Sequence, residues 1–287
     1  MSILKNKIDF AVVVTVKNAN PNGDPLNGNM PRTTYEGFGE ISDVCIKRKI
    51  RNRLQDMGEC IFVQSDDNKI DDYDSLRSRA AGYTELEEEM KKGKKANKQK
   101  CIELSCNKWI DVRSFGQVFA FKGSDLSLGI RGPVSIHPAF SIDEVDITSI
   151  QITKSVNGEP GLDSKASDTM GTKHRVDFGV YLIKGSINVQ LAEKTGFTES
   201  DAEKIKEALR TLFENDCSAA RPDGSMEVVT LYWWQHNCKM GQYSSAKVHN
   251  TLKIKKKDDV IHPTSINDYV ISLENLEGLE PEIINGI

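Results

Sequence analysis

Residues Ile8 to Arg53 constrain this chain most, because three different kinds of segment follow one another there without a break. The apolar run Ile8 to Val16, IDFAVVVTV, reads as a buried strand. It enters a loop, NANPNGDPLNGNMPR, from Asn18 to Arg32, and after TTYEGFGEI the chain becomes a basic helix, SDVCIKRKIRN, from Ser42 to Asn52. Gly23 and Gly28 each follow an Asn, and both dipeptides favour turns with positive φ. Turns of that kind aim successive backbone N–H groups at one spot and make a concavity for phosphate. A helix N-terminus adds its own N–H groups. The succession of strand, Asn/Gly loop and basic helix can therefore hold an anion without being an enzyme.

Ser42 is placed as the helix N-cap, with Asp43 in the first turn. Ile46, Ile50, Leu54 and Met57 recur at helical spacing and form the inward face. Lys47 and Arg51 are four apart and share another face, flanked by Arg48. An apolar stripe beside a basic side suits binding to a nucleic-acid backbone. A solvated charged face is the alternative, and the Asn/Gly loop directly upstream shifts the balance toward the first.

The formal net charge of −4 speaks against a generic nucleic-acid binder, but the charge is unevenly spread. From Asp258 onward there is no Lys or Arg, and seven acids stand there: Asp258, Asp259, Asp268, Glu274, Glu277, Glu280 and Glu282. With these set aside, 38 basic residues face 35 acidic ones, a balance of +3. Local patches, not the global sum, decide contact with phosphate. The 287 residues suit one large domain with insertions or two small ones. No apolar run reaches the roughly 18 residues of a membrane helix, and MSILKNKIDF lacks the apolar core of a signal peptide, so a cytoplasmic location is expected. None of the six cysteines forms a CxxC pair, and Cys101 and Cys106 have no His partners at zinc spacing, so reduced structural thiols are expected. The five His are scattered, and HExxH, GxSxG and Walker motifs are all missing. No catalytic residue, metal site or cofactor is expected. Asp24 alone is a carboxylate placed to activate an RNA 2′-hydroxyl; ordinary turn chemistry is the competing role.

Residues 58–108 show little apolar periodicity. Within them, Glu85 to Lys100 runs from acid to base, and its lysines, among them Lys91, Lys92, Lys94 and Lys95, belong either to a solubilising surface insertion or to a basic arm touching a nucleic-acid strand. Val112, Phe115 and Phe119 fall at helical spacing around Gly116. SLGIRGPVSI, Ser127 to Ile136, reads as a strand entering a turn; Arg131, between two glycines, either reaches a phosphate or pairs with a carboxylate such as Asp111. Ile147 to Ser155 is strand-like and opens into a polar excursion, Val156 to Arg175. Long loops of that kind tend to be functional or disordered. Its end, MGTKHR, sets Met170 as an exposed apolar tip beside Lys173, His174 and Arg175. Such a wedge fits insertion between stacked bases; a surface loop with a chance Met is the alternative. Val176 to Ala192 makes one long strand or a hairpin, and Thr198 to Asp216 a helix with a capping-box-like start. Ser225 to Trp234 is a further strand whose aromatics serve the core or a stacking platform. The acidic tail packs on the domain or covers a neighbouring copy. With the insertions removed, the skeleton approaches the βαββαβ plan of a ferredoxin-like, RRM-type α+β fold. No RNP-type aromatic motif is present, so stacking of RNA on the sheet face is unsupported.

Several blocks in order carry a resemblance: NPNGDP at 20–25, GNMPR at 28–32, ISDVCIKRKIRN at 41–52, DVRSFGQVFA at 111–120, GIRGPVSI at 129–136, MGTKHRVDFG at 170–179 and DCSAARPDGSM at 216–226. Together they resemble the Cas-seven backbone subunit of CRISPR effector complexes in its subtype I-C version, from about Ile8 to Lys239. The resemblance implies an RRM-like palm (about 1–57, 109–136 and 174–240), a helical finger insertion (58–108), a β-hairpin thumb (137–175) and, outside the matched blocks, an acidic C-terminal segment (258–287). It implies copies stacked head to tail along a guide RNA (crRNA), with each thumb displacing one nucleotide and the segments between left free to pair with target DNA. Subunits of the Cas-five and Cas-eight kinds are the implied further partners. Guide contacts then fall on Asn20, Asn22, Gly23, Arg32, Ser42, Lys47, Arg48 and Arg51. Arg131 and the thumb residues Met170, Lys173, His174 and Arg175 join them, and Lys91, Lys92, Lys94 and Lys95 are weaker candidates for DNA. Related subunits of type III complexes cut RNA with an Asp in an early loop, a place comparable to Asp24, but the I-C version is not a nuclease.

Overall fold

The computed structural model describes residues 2–121, 127–153 and 170–287. Strand β1 (Ile8–Ala19) leads into the two-residue strands β2 (Gly23–Asp24) and β3 (Met30–Pro31), then β4 (Phe38–Ile41) and helix α1 (Asp43–Asp56). An insertion follows, with α2 (Leu76–Ala81), α3 (Thr84–Met90), α4 (Lys98–Lys108), α5 (Ile110–Phe115) and the hairpin β5 (Gly116–Ala120)–β6 (Ser127–Arg131). The chain returns through β7 (Val134–Ile136), β8 (Ala139–Glu144) and β9 (Ile147–Thr153) to β10 (Met170–Ile187), then α6 (Val189–Thr195), α7 (Glu199–Arg210) and β11 (Met226–Gln235). Helix α8 (Ser245–His249), the hairpin β12 (Leu252–Lys256)–β13 (Tyr269–Leu273) and β14 (Glu282–Asn285) complete it. No helix of the described residues is long and apolar enough to cross a membrane.

The central sheet runs β14-β11-β1-β10-β8-β4, with β7 and β9 also paired to β10. All of its pairings are antiparallel. The position of β1 explains its unbroken apolar run. Phe10, Val12, Val14 and Val16 face a core shared with Ile46, Ile50 and Leu54 of α1 and Ile205 and Leu209 of α7. Ala11 and Val13 face the other way, onto Trp234, Val248, Leu252, Tyr269 and Leu279. A strand covered on both faces has no side to leave polar. The C-terminal segments thus cover the sheet face opposite α1 and α7, and Trp233 and Trp234 are core residues rather than a stacking platform. The acidic tail packs on the domain: β14 extends the sheet beside β11, pairing Leu231 with Ile284.

The insertion builds a second core around Phe62, Leu86, Trp109, Phe119 and Ile130. Its apolar periodicity was faint because α2 and α3 span only six and seven residues. Asp111 fastens it to α1. Its carboxylate accepts hydrogen bonds from Phe62 N (2.7 Å), Val63 N (3.0 Å) and Arg51 Nε (3.0 Å). Arg113 makes a two-pronged bond to Asp201 on α7, at 2.9 and 2.7 Å. The helical spacing of Val112, Phe115 and Phe119 misleads, because α5 stops at Gly116, whose φ is +81°. A Cβ there would lie 2.2 Å from the Ile130 carbonyl oxygen, so Gly lets β5 begin against β6 at that point. Phe119 is therefore a strand residue.

Candidate nucleic-acid interface

The Asn/Gly loop folds into a tight hairpin that is tied to α1. The Asp24 carbonyl accepts from Asn27 N (3.1 Å) and Asn29 N (2.8 Å), and its side chain accepts from Leu26 N at 3.2 Å. Gly28 and Asn29 take left-handed φ, +58° and +61°, so the positive-φ pair falls one residue later than Asn27-Gly28, and Gly23, paired with Pro31 in β2, does not adopt it. Asn20 is buried and donates to the Asn29 carbonyl at 2.7 Å. The side-chain oxygen of Asn22 accepts from both Ser42 N (2.9 Å) and Ser42 Oγ (2.8 Å), while Ser42 Oγ caps α1 by accepting from Cys45 N. One Asn thus sets the loop against the helix N-terminus.

A polar cleft of about 380 Å³ opens beside this junction. Its walls are loop residues 21–23, the Cys45–Asn52 side of α1, the turn at Asp67 and Asn68, and a segment of residues 215–221. Lys49 is buried at its base in an ion pair with Asp216. Burial pushes the Lys49 ammonium below its usual pKa, and the Asp216 carboxylate works against that shift. Arg221 Nε lies 3.2 Å from the same carboxylate, and Arg48 Nη2 lies 2.7 Å from Asp67 Oδ1. Three cations face two carboxylates, and the Arg48 and Arg221 guanidiniums reach solvent. Burial raises the Cys45 thiol pKa, which keeps this residue of the wall an unreactive thiol. The surface offered is one of two solvent-reaching guanidinium groups beside a buried lysine, suited to phosphate oxygens and indifferent to base identity.

The family model described as CRISPR-associated protein Cas7 matches residues 6–274. This chain belongs to the Cas7 family. A curated relative, the CRISPR-associated protein Cas7 of Haloferax volcanii, is 26% identical over 222 residues, which covers 70% of this chain and 62% of the relative. The match thus spans less than two thirds of that relative's length. Among solved structures, a chain of a CRISPR RNA-guided surveillance complex, pre-nicking, shares the fold at a TM-score of 0.50 and 15% identity, covering 79% of this chain and 78% of that one. A chain of a CRISPR RNA-guided surveillance complex aligns at a TM-score of 0.44 and 16% identity, over 79% and 68% of the two chains.

In this Cas7-family chain the residues expected at the interface fall into two groups. Asn22, Gly23 and Arg48 line the cleft. Ser42 caps the adjoining helix, and Arg32 pairs with Asp24 at 3.4 Å across the loop. Others are placed differently from expectation. Asn20 is buried and braces the loop from behind. Arg51 does not share an open basic face with Lys47: it bonds to buried Asp111 and lies 5.0 Å over the Phe115 ring, because the insertion packs on that side of α1. Lys47 pairs with Asp43 at 2.9 Å. With Asp111 taken by Arg51, Arg131 has no ion pair among the described residues and ends the insertion hairpin exposed. Met170 is not a loop tip. It opens β10 opposite Thr153, with Lys173 opposite Ile150, His174 opposite Ser149 and Arg175 opposite Thr148, since antiparallel pairing carries β10 past its apolar part. The excursion itself, 154–169, lies outside the described residues. Lys91 and Lys92 pair with Glu87 and Glu89, while Lys94 and Lys95 are exposed in a single 3₁₀ turn. Asp24 is engaged in turn hydrogen bonds and the Arg32 pair, which is ordinary turn chemistry. Among the described residues no group of three or more His, Cys, Asp or Glu is placed to hold a metal ion.

Arg221, Asp216 and Ser218 are among the cleft residues that sequence reasoning missed. Arg221 lies within the block DCSAARPDGSM and is given no contact of its own there. Nothing local shows that this segment folds back against α1 from about 170 positions away; its place in the block DCSAARPDGSM was the sole signal.

Proposed function

We propose that this chain is a non-catalytic, repeating backbone subunit of a CRISPR RNA-guided complex of subtype I-C, and that it grips the guide RNA through its sugar-phosphate chain. The observation that carries the reading is the cleft in which the Asn/Gly hairpin, the N-terminal half of α1 and Arg221 converge, bringing Arg48 and Arg221 to one space. Family membership supports it, and so does the fold likeness to a chain of an RNA-guided surveillance complex. On this reading, β11-β1-β10-β8 with α1 and α7 is an RRM-like palm. The insertion is the finger, and the β9–β10 hairpin, bearing Lys173, His174 and Arg175, is the thumb. Backbone-only contact lets identical copies follow one guide of any sequence, while base pairing with target DNA supplies specificity. A heterologous contact that does not close on itself gives a filament of such copies, joined by subunits of the Cas-five and Cas-eight kinds.

The test is co-expression with a guide RNA of the chain carrying R48A and R221A together. The recovered RNA falls, and the dependence of log affinity on log salt loses about 0.7 per phosphate contact removed, the value for single strands. Undiminished RNA recovery with an unchanged slope refutes the cleft as the guide site. K47A/R48A/R51A is a poorer test, because removing Arg51 also leaves the buried Asp111 carboxylate without its cation.

A further inference from the structure

The hairpin β12–β13 lies on the sheet face opposite α1 and the cleft, packed through Leu252, Ile254, Tyr269 and Ile271. Strand alternation sends the intervening residues outward. The register sets Lys253 opposite Ser272 and Lys255 opposite Val270, so these four share the outer face. Lys257 continues the row. An open groove of about 600 Å³ runs along it, lined by four lysines, Lys253, Lys255, Lys256 and Lys257, with Asp258 and Asp259 at its turn end. Asp258 takes Lys255 at 2.9 Å with both side chains exposed, so water and salt weaken that pair. Lys253 and Lys257 have no ion pair among the described residues. Lys184 on β10 adds to this charge: burial, and then the neighbouring Lys253 ammonium, hold its pKa below the usual lysine value. A chain of net charge −4 thus holds together like charges that repel one another, an arrangement a polyanion relieves.

We propose that the outer face of the β12–β13 hairpin is a second nucleic-acid site, one that holds the phosphate backbone of a duplex. A duplex is favoured over a single strand by what the face lacks. Single-strand sites add aromatic platforms for unstacked bases, whereas Tyr269 points into the core and the outer face carries only Lys, Ser and Val beside its turn acids. A duplex keeps its bases stacked inside and presents phosphates, at a higher charge density than a single strand. The sheet separates this site from the cleft, so a guide strand in the cleft leaves it open.

The test is fluorescence anisotropy of the full chain with a labelled, mixed-sequence DNA duplex, titrated at salt concentrations from about 50 to 200 mM. K253A/K255A loses about 0.9 in salt slope per lysine removed from phosphate. K253R/K255R retains the slope. Both lysines are exposed, and circular dichroism checks that the variants keep the fold. A K253A/K255A slope equal to the parent's overturns the proposal. So does a loss seen only with single-stranded DNA or RNA probes, or a duplex slope that disappears with R48A/R221A instead. Because guide recovery is read on the cleft variant and duplex binding on the hairpin variant, failure of one site is distinguishable from failure of the other.

Discussion

Helix α1 and strand β12 are the two most basic elements of the described fold, and they use their charge in opposite ways. All five bases of α1 meet an aspartate: Lys47 with Asp43, Arg48 with Asp67, Lys49 with Asp216, Arg51 with Asp111 and Arg53 with Asp56. Asp67, Asp111 and Asp216 come from widely separated segments because the helix is packed on several sides, whereas Asp43 and Asp56 lie on the helix itself. Lys253 and Lys255 of β12 stand on the outer face of a hairpin whose other face is core, and among the described residues only the second of them has an ion-pair partner, Asp258. A run of Lys and Arg therefore measures charge, not available charge. On α1 the pairs graduate from buried and structural, at Lys49 and Arg51, to exposed and free to exchange partners, at Arg48. A buried ion pair is costly to break, since it leaves a charge without water or partner. An exposed one is worth little and gives way readily to a phosphate.

Breaking the structural end of that gradient has the largest effect. Asp111→Ala leaves Arg51 and the Phe62 and Val63 amides without their acceptor, and costs about 3–5 kcal/mol in urea unfolding. A cost below about 1 kcal/mol would mean that Arg51 is not structural and would remove the contrast. Asn22→Ala comes next. It loses both hydrogen bonds to Ser42 and costs about 1–2 kcal/mol, measured the same way, with the helix start loosened in amide exchange.

The β12 side is sharpened by pH. His249, beneath that hairpin on α8, is buried, which holds its pKa below 6.5; its Nε2 lies 3.0 Å from the Gly185 carbonyl. The unfolded chain then binds the proton first, so stability is complete above pH 6.5 and declines as pH falls toward the folded value. His249→Gln flattens that slope in thermal melts taken between neutral pH and mild acid. The smallest stability change is at Arg48. Arg48→Ala shifts unfolding by under about 1 kcal/mol yet lowers RNA affinity; the opposite pattern, unstable but still binding, would place Arg48 with the structural pairs.

Local rules carried far along this chain. The run from Ile8 to Val16 is the central strand, and Ser42 and Thr198 begin their helices as N-caps. Ala202, Ile205, Leu209 and Leu212 are buried together, as helical spacing demands. The readings that missed share one cause. Gly116 was placed inside a helix because spacing cannot see the β6 backbone that crowds it. Arg51 was placed on an open face because the insertion that covers it was itself faintly patterned. The candidate cleft was half legible, from Asn22 to Arg48, because that half is contiguous in the chain. Its other half, Asp216 to Arg221, was not.

What the amino-acid order determined alone was each segment's own conformation and inward side, because side-chain periodicity, capping and turn chemistry act over a few residues. It also carried the blocks that mark the Cas7 family. Which cations stay available to a polyanion was decided only by the tertiary structure. An ion pair depends on distance and on loss of water, and both are set where segments far apart in the chain, such as Lys49 and Asp216, are brought together by the core.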